Sequence, residues 1–259
     1  MLIFRTLILF FISNFALAQA NDGFWIMEKN SDQRKVADET VDILMVIKNK
    51  KGDKRERKIT LTTLTNDEDL QKSLISFSSP KNVKGTGLLT YENLDSEDDQ
   101  WLYLPALKRT RRISAADQTD NFMGTDFTFE DLSTENLKDF EYKIISKESI
   151  DGIEVYQIEA IPANEKAKKE SGYARRVLWI GHSDFVIRKV EFYDSKSQLI
   201  KMLSAKDIRE VAPGVWRAKE VTMKDLKTQH STTLLYKQFL VNKGLSENQF
   251  TMRSLERGI

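Results

Sequence analysis

The 259-residue chain contains no cysteine, only two histidines and only four prolines. Without cysteine no disulfide can form, so the fold must be stabilised by the burial of side chains, even in an oxidising compartment. The two histidines, His182 and His230, are far apart in the sequence and lack the H-x-x-x-H spacing of a zinc site. The composition therefore gives no support to a bound metal, and we expect no cofactor.

An excess of charge of either sign is also missing. The chain carries 40 Lys and Arg against 39 Asp and Glu, a formal net charge of +1. Near-neutrality argues against bulk attraction to nucleic acid or to an anionic membrane surface. The acidic run 95–99 lacks the glycine and terminal glutamate of a calcium loop and is typical of a solvated loop.

Catalytic patterns are absent too. His182-Ser183-Asp184 contains the letters of a hydrolase triad, but triads are assembled from distant chain positions, and three adjacent residues in a turn cannot stack as nucleophile, base and orienter. No G-x-S-x-G elbow occurs, and Gly85-Thr86-Gly87 lacks the lysine and hydroxyl of a phosphate-binding loop. The sequence therefore predicts a protein without enzymatic activity.

One long apolar run lies at the start of the chain. A positive charge at Arg5 precedes an apolar stretch over residues 7–15, and Ala16-Leu17-Ala18 forms a small-x-small cleavage site, with Ala18-Gln19-Ala20 as an alternative. The run is too short to span a membrane, which takes ~20 residues, so residues 1–18 are predicted to be a secretory signal peptide. No cysteine follows for lipid attachment. We expect residues 19–259 to form a single domain in the periplasm, without a transmembrane segment.

What the chain does contain is mostly β-strand pattern. Residues 40–47 place Val41, Ile43, Met45 and Ile47 on one face, and Asp151-Gly152 predicts a hairpin between residues 142–149 and 153–161. We predict about eleven short antiparallel strands, because no helix-length segment separates them as a parallel sheet would require. The remaining elements are a short helix near residues 23–32, a polar loop over 163–172 and an irregular or briefly helical tail over 250–257.

Several predicted strands are apolar on both faces, for example residues 43–47 and Leu234-Leu235. A sheet with one solvated face alternates cleanly between apolar and polar residues. Two interpretations remain open for these strands: a plain two-layer core, or a sheet that encloses a cavity or a barrel interior and is covered by helices.

The stretch 97–132 is the most unusual part of the chain. Residues 101–104 and 109–113 resemble the arms of a hairpin across Pro105-Ala106-Leu107. If Leu104 faces Lys108, then Gln100 faces Arg112, and the basic arm is a solvated strand whose arginines pair with residues 97–99. The alternative is anion recognition, since guanidinium groups match phosphate and carboxylate. The three candidates for contact with a head group or a protein partner are Arg109, Arg111 and Arg112.

Aromatic and large apolar residues surround this basic arm. They are most simply core residues, each stabilising the fold by roughly 1.5–3 kcal/mol when buried. However, a glycine-containing loop that is rich in Phe and Met is also typical of a binding surface. The candidate ligand-binding residues are Trp101, Tyr103, Leu104, Phe122, Met123, Phe127 and Phe129.

The run WLYLPALKRTRRI followed by FMGTDFTFEDL resembles the signature of the LolA-like outer-membrane lipoprotein-sorting proteins, in particular their larger periplasmic branch. Residues 83–91, the opening at 24–47 and the ending at 250–257 are similar as well. The resemblance covers nearly the whole chain after the predicted signal peptide.

This resemblance implies a single curved, incompletely closed antiparallel β-barrel with short helices over its open side. It also implies a carrier that shields the acyl chains of a lipoprotein or lipid in an apolar cavity on the way to the outer membrane. An inner-membrane RND-type exporter and an outer-membrane acceptor are the implied partners, and nucleic acid is not. The alternative is a periplasmic adaptor of such an exporter that carries no lipid of its own.

Overall fold

A computed structural model of the protein describes residues 23–94 and 96–258. These residues contain thirteen β-strands and three α-helices, joined by loops and 3-10 turns. The strands are β1 Asp38–Lys48, β2 Lys54–Thr65, β3 Gln71–Ser79, β4 Gly87–Tyr91, β5 Asp99–Leu104, β6 Arg109–Arg112, β7 Phe140–Ile150, β8 Ile153–Pro162, β9 Arg175–Gly181, β10 Ile187–Tyr193, β11 Leu199–Ala212, β12 Val215–Asp225 and β13 Ser231–Val241. The helices are α1, described over residues 23–34, α2 Glu165–Glu170 and α3 Met252–Arg257. The predicted signal peptide, residues 1–18, lies outside the described residues.

All thirteen strands belong to one antiparallel sheet in the order β6-β5-β4-β3-β2-β1-β13-β12-β11-β10-β9-β8-β7. Neighbours in the sheet are consecutive in the chain except at the centre, where β1 pairs with β13. The edge strands β6 and β7 do not pair with each other, so the curved sheet stays open. The expected fold, a curved and incompletely closed antiparallel barrel, is confirmed. The expected count of about eleven strands is low by two, and both predicted arms of the 101–113 hairpin belong to this same sheet.

The main hydrophobic cluster lies on one face of the sheet, which we call the inner face. Alternate residues of β1 point into it, with Val41, Ile43, Met45 and Ile47 all buried. Leu44 and Val46, on the other face of β1, are half-buried and belong to none of the buried clusters of the described residues. The doubly apolar pattern thus marks one fully buried face and one that is only half-buried.

Two pieces of chain cover the inner face. Helix α1 buries Ile26 and Met27 in the main cluster, and the Asn30 side chain donates to the Phe185 carbonyl at 2.6 Å. The other piece connects the two edge strands, and we call residues 113–139 the crossing segment. It consists of short 3-10 turns and a single bridge between Asn121 and Thr128. Because it forms no continuous strand pairing with the sheet, the crossing segment covers the sheet without extending it.

The opposite, outer face has its own cover near β3–β5. Residues 245–257, which we call the C-terminal segment, bury Phe250 and Leu255 against Leu74 and Leu89. A Cβ on Gly87 would lie 2.7 Å from the Leu255 side chain, so this position of β4 accepts only glycine without rearrangement. The tail that was expected to be irregular or briefly helical is therefore a packed element ending in α3.

Three local expectations need correction. The loop 163–172 contains α2, whose six residues are too few to show a helical period but are capped by the Asn164 side chain accepting from the Ala167 amide. Leu104 pairs with Arg109 rather than facing Lys108, because Lys108 has a left-handed φ of 46° and lengthens the turn by one residue. Two members of the acidic run are not solvated loop residues: Asp99 begins β5, and Asp98 is half-buried.

Candidate functional site

The seven predicted ligand-binding residues lie on both faces of the sheet. Strand β5 alternates, so Leu104 joins the inner cluster whereas Trp101 and Tyr103 pack on the outer face beside the C-terminal segment. On the inner side, the crossing segment contributes Phe122, Met123, Phe127 and Phe129. The cluster seen in the sequence is therefore divided between two covers, one on each side of the same strand.

The aromatic side chains of the crossing segment fill the inside of the open barrel. Phe122, Phe127 and Phe129 are 1%, 5% and 3% exposed, and the rings of Phe122 and Phe129 meet edge to face at 5.5 Å. The space left between them and the sheet is a cavity of about 60 Å³. Its lining is almost entirely apolar: Ile43, Met45, Ile59, Leu61, Ile75, Phe122, Thr125, Phe127, Leu132, Leu234 and Tyr236.

Two cations on the inner face hold the crossing segment by its main chain. Arg57 of β2 donates from Nη1 to the Met123 carbonyl at 2.7 Å. Lys201 of β11 donates from Nζ to the Asp126 carbonyl at 2.9 Å and lies 3.9 Å from the Asp131 carboxylate. Burial lowers the pKa of the Arg57 guanidinium, and neighbouring Arg55 lowers it further. Both side chains are buried, which polar groups tolerate only when they are bonded.

Neutral partners add further bonds to the same segment. The Thr232 hydroxyl of β13 donates to the Asp126 carboxylate at 2.7 Å and accepts from the Asp126 amide at 3.0 Å. Burial raises the pKa of Asp126, an effect that the Thr232 bond partly offsets. The Tyr173 hydroxyl donates to the Asp131 carboxylate at 3.0 Å, and burial raises the pKa of this phenol strongly.

A third inner cation meets the far end of the crossing segment. Arg176 of β9 bonds through Nη1 to the Glu135 carboxylate at 2.6 Å, and the Tyr142 hydroxyl donates to the other oxygen of Glu135 at 2.5 Å. Burial alone would lower the pKa of Arg176, but the facing Glu135 raises it above its ordinary value. Burial and the same carboxylate raise the pKa of Tyr142. The guanidinium therefore stays charged inside the fold.

The predicted basic arm lies elsewhere, at the exposed edge strand β6. Arg112 forms an ion pair with Asp99 across the hairpin, and Arg111 lies 3.5 Å from Asp117. Arg109, Arg111 and Arg112 are all exposed. Leu107, at the tip of the hairpin, is 67% exposed. Arg109 and Arg111 stand opposite Leu104 and Leu102 and so lie on the inner side at the edge of the sheet, whereas Arg112 stands opposite Trp101 on the outer side; all three remain exposed to solvent there.

A larger, more open cleft of about 310 Å³ lies beside β6, lined by Glu97, Asp98, Arg112, Ile113, Ser114 and Ala115. Asp98 accepts a hydrogen bond from the Thr134 amide at 2.8 Å, which connects this cleft to the crossing segment. Burial raises the pKa of Asp98 to about 7, against weaker lowering by that bond. Its lining contains both acidic and basic side chains, unlike the almost entirely apolar lining of the inner cavity.

The structure also shows where the triad-like tripeptide lies. Arg188 binds the Asp184 carboxylate at 2.9 and 2.5 Å, and the His182 ring stacks on Tyr156 at 4.6 Å. Asp184 is thus bound by an arginine. Across residues 23–94 and 96–258, no group of three or more histidine or acidic side chains is placed to bind a metal. In the same residues, no helix is long and apolar enough to cross a membrane.

Sequence reasoning missed the three inner cations that contact the crossing segment, although a local signal exists for each. Arg57, Arg176 and Lys201 each stand two residues before an inner apolar residue of the same strand, namely Ile59, Leu178 and Leu203. Residues two apart share a face of a strand, so a charged residue in such a position points into the core. A buried cation needs a partner, and this signal predicts one on whatever covers the face.

Similar proteins were found at the level of structure and of family. A family model whose description reads only "Uncharacterized protein" matches residues 69–257. No curated protein matches the chain at a significant level. Among solved structures, an outer membrane lipoprotein-sorting protein domain described from Vibrio parahaemolyticus is 33% identical, with a TM-score of 0.85 over 92% of this chain and 100% of that one.

Two further structures extend this comparison. A DUF1329 family protein from Desulfovibrio piger is 26% identical, with a TM-score of 0.85 over 92% of this chain and 99% of that one. A LolA superfamily protein from Nitrosomonas europaea is 20% identical, with a TM-score of 0.69 over 90% of this chain and 98% of that one, which shows a shared fold.

Proposed function

Since the chain belongs to the LolA-like outer-membrane lipoprotein-sorting family, we propose that it is a periplasmic carrier that shields the acyl chains of a lipid or lipoprotein on the way to the outer membrane. The supporting observation is the apolar inner face, which is covered by an irregular segment instead of by a further layer of the sheet. A sheet of this kind offers a lipid-sized surface once the crossing segment moves.

The crossing segment must move for cargo to enter. A cavity of about 60 Å³ is far smaller than the roughly 300–1,000 Å³ of pockets that hold drug-sized ligands. An acyl chain that replaced Phe122, Phe127 and Phe129 would find the same apolar wall that these rings now cover. Transfer of the chain out of water contributes about 0.8 kcal/mol per buried CH₂, which offsets the exposure of the displaced rings.

The predicted binding residues take different roles in this proposal. Leu104 lines the inner face, and Phe122, Met123, Phe127 and Phe129 are the internal substitutes for cargo that move with the crossing segment. Trp101 and Tyr103 lie on the outer face beneath the C-terminal segment and do not meet cargo unless that segment leaves as well. The exposed arginines of β6 suit contact with a protein partner or with an anionic membrane surface at delivery.

The absence of cysteine makes a direct test possible. A disulfide between D126C and T232C would lock the crossing segment, because these two residues already share two hydrogen bonds. A control disulfide between T222C and T233C would join two paired strands of the sheet, whose hydroxyls lie 2.9 Å apart. We expect only the first lock to block uptake of a fluorescent fatty acid, and reduction to restore it.

The natural cargo would be identified separately. We expect mass spectrometry of organic extracts from natively purified, periplasmic protein to reveal bound lipid. Uptake that is equal in locked and reduced protein would contradict entry beneath the crossing segment. A protein that carries no lipid and also refuses added fatty acid would contradict the carrier function altogether.

A second function is favoured by the small size of the inner cavity. Because its own crossing segment already fills the barrel, the protein is also consistent with an adaptor that docks on an RND-type exporter and carries no lipid itself. Its docking surface would be the hairpin tip, where Leu107 is exposed beside Arg109. Photocrosslinking from position 107 distinguishes the two functions, since protein adducts without any lipid uptake favour the adaptor.

A further inference from the structure

Of the three inner cations, Arg176 is bound by a carboxylate of the crossing segment at hydrogen-bond distance. Arg57 and Lys201 donate to main-chain carbonyls, and the nearest carboxylate of Lys201 lies 3.9 Å away. Arg176 instead pairs with Glu135 at 2.6 Å, with side-chain exposures of 13% and 24%. The charge of Arg176 is therefore compensated by a group that belongs to the cover rather than to the sheet.

The guanidinium is only partly used by this pairing. Its Nη2 atom is buried and has no hydrogen-bond partner among the described residues. The ring of Phe140 lies 4.2 Å from its Cζ atom, and its register neighbours on the adjoining strands are Ala160 and Phe192, both buried. An arginine fork binds two oxygens of a carboxylate or phosphate side by side, so one nitrogen is left over here.

Displacement of the crossing segment would remove Glu135 from Arg176. The arginine would then remain as an uncompensated charge on an apolar wall, a costly arrangement that proteins avoid. Burial of the acyl chain alone does not relieve this cost. Cargo that brought its own anion would relieve it and would also engage the unused Nη2.

We propose that Arg176 binds an anionic head group, a phosphate or carboxylate attached to the acyl chain, and that Glu135 takes its place when no cargo is present. This inference rests on the proposed carrier function and narrows its substrate class to anionic amphiphiles. In this arrangement the crossing segment imitates cargo at both ends: its phenylalanines occupy the place of the chain, and its glutamate occupies the place of the head.

The first test compares two amphiphiles with the same twelve-carbon chain, dodecyl phosphate and dodecyl maltoside, below their micelle concentrations by calorimetry. Dodecyl phosphate should bind more tightly to the unaltered protein, by about tenfold, as expected for hydrogen bonds between charged groups. R176Q should abolish this preference, so that the variant binds both amphiphiles with similar affinity. The matched control is R175Q, since Arg175 faces the opposite side of β9, where it stacks on Tyr193 and pairs with Glu159.

The second test uses E135Q, which keeps the acceptor for Tyr142 but removes the internal anion. We expect several-fold tighter binding of both amphiphiles, because the closed state loses the pair between Glu135 and Arg176, and an unchanged preference for dodecyl phosphate, because Arg176 is retained. A variant in which neither amphiphile gained affinity would contradict the replacement of Glu135 by cargo. E135Q also keeps the inference testable if R176Q fails to fold, and R176K, which retains the charge, should retain most of the preference.

Competition by inorganic phosphate distinguishes a site for the head group of a lipid from a site for a free anion. We expect it to compete with dodecyl phosphate only at concentrations far above the dissociation constant of the amphiphile. Equal potency would overturn the proposal in favour of a free-anion site. Equal binding of the phosphate and maltoside amphiphiles would overturn the head-group role of Arg176 and leave the carrier function intact. Failure of both amphiphiles to bind would instead contradict the carrier function.

Discussion

The two covers of the sheet differ in how far their polar contacts are buried. The outer cover accepts hydrogen bonds from Tyr91 at the Phe250 carbonyl and from Thr110 at Glu256, but these bonds are part-buried or exposed. The C-terminal segment lies on the outer face through Phe250 and Leu255, each 1% exposed, and the end of the Leu255 side chain lies where a Cβ on Gly87 would stand. The crossing segment lies on the inner face and adds to its apolar contacts a series of buried polar bonds from Arg57, Lys201 and other sheet residues. Apolar packing is lost when a cover leaves, whereas polar bonds can be remade with a ligand or water. The difference supports the proposal that the inner cover is the one exchanged for cargo.

The largest expected effect concerns the outer cover. F250A should reduce the free energy of unfolding by about 3–5 kcal/mol, because it leaves a cavity in a close-packed site. Urea unfolding followed by circular dichroism measures this loss. Fatty-acid uptake per folded molecule should not change, and an increase would show that the outer cover is exchangeable too.

A smaller effect is expected at the polar bonds of the inner cover. K201M removes the donor to the Asp126 carbonyl and should cost about 1–3 kcal/mol, the penalty for an unsatisfied buried acceptor. Hydrogen exchange should accelerate in residues 122–132 more than in β1 or β13. The control is K206M on the same strand, where the lysine is exposed. Uniform acceleration over the whole sheet would contradict a locally released cover.

The junction between the acidic run and the crossing segment should depend on pH. Burial raises the pKa of Asp98 to about 7 from an ordinary value of 3.8. Between these values the folded state holds a proton that the unfolded state has lost, so the contribution of Asp98 to stability falls as the pH rises from about 4 to about 7 and stays low above that.

D98N should remove this slope. Because the carboxyl is partly exposed, the expected gain above pH 7 is only about 1 kcal/mol. Melting temperatures of both proteins across pH 4–8 measure it, with D120N, an exposed position of the crossing segment, as the control. Parallel profiles for the unaltered protein and D98N would refute the role of Asp98.

The smallest effect is expected at the exposed hairpin. R112Q breaks an ion pair in which the arginine side chain is 69% exposed, and exposed pairs are worth about 0.2–1 kcal/mol. The melting temperature should change little and less still in high salt. A large loss on R112Q would show that the edge strand β6 supports the crossing segment, which would weaken the contrast between the covers.

The fold could be predicted because its signals are local. The alternation of Val41, Ile43, Met45 and Ile47 defines β1 without reference to any partner, and Asp151-Gly152 defines the turn between β7 and β8. The strand-pairing register at β5–β6 was less accessible, because it depends on one left-handed residue in the turn. The curvature and openness of the sheet were expected from the family resemblance rather than from any single pattern.

The site was harder to predict because its contacts are distant in the chain. Arg57 meets Met123 across 66 positions, and Lys201 meets Asp126 across 75. The sequence around Arg57 or Lys201 does not indicate which residue the cation contacts. Only the inward position of each cation could be inferred. The basic arm at Arg109, Arg111 and Arg112 drew attention because charges adjacent in sequence are conspicuous, whereas the buried cations are dispersed over three strands.

The pairing of β1 with β13 has a consequence for how the chain folds. Strands β1–β6 and β7–β13 each form a run of consecutive hairpins that can close locally, whereas the β1–β13 seam joins partners such as Ile47 and Thr232 that are far apart in sequence. Long-range closure is the entropically expensive part of folding. Each half is therefore expected to form first, and the seam and the crossing segment then unite them. A circular permutant opened within the crossing segment and rejoined by a linker from residue 258 to residue 23 would bring the two strands of that seam much closer in sequence and should fold faster.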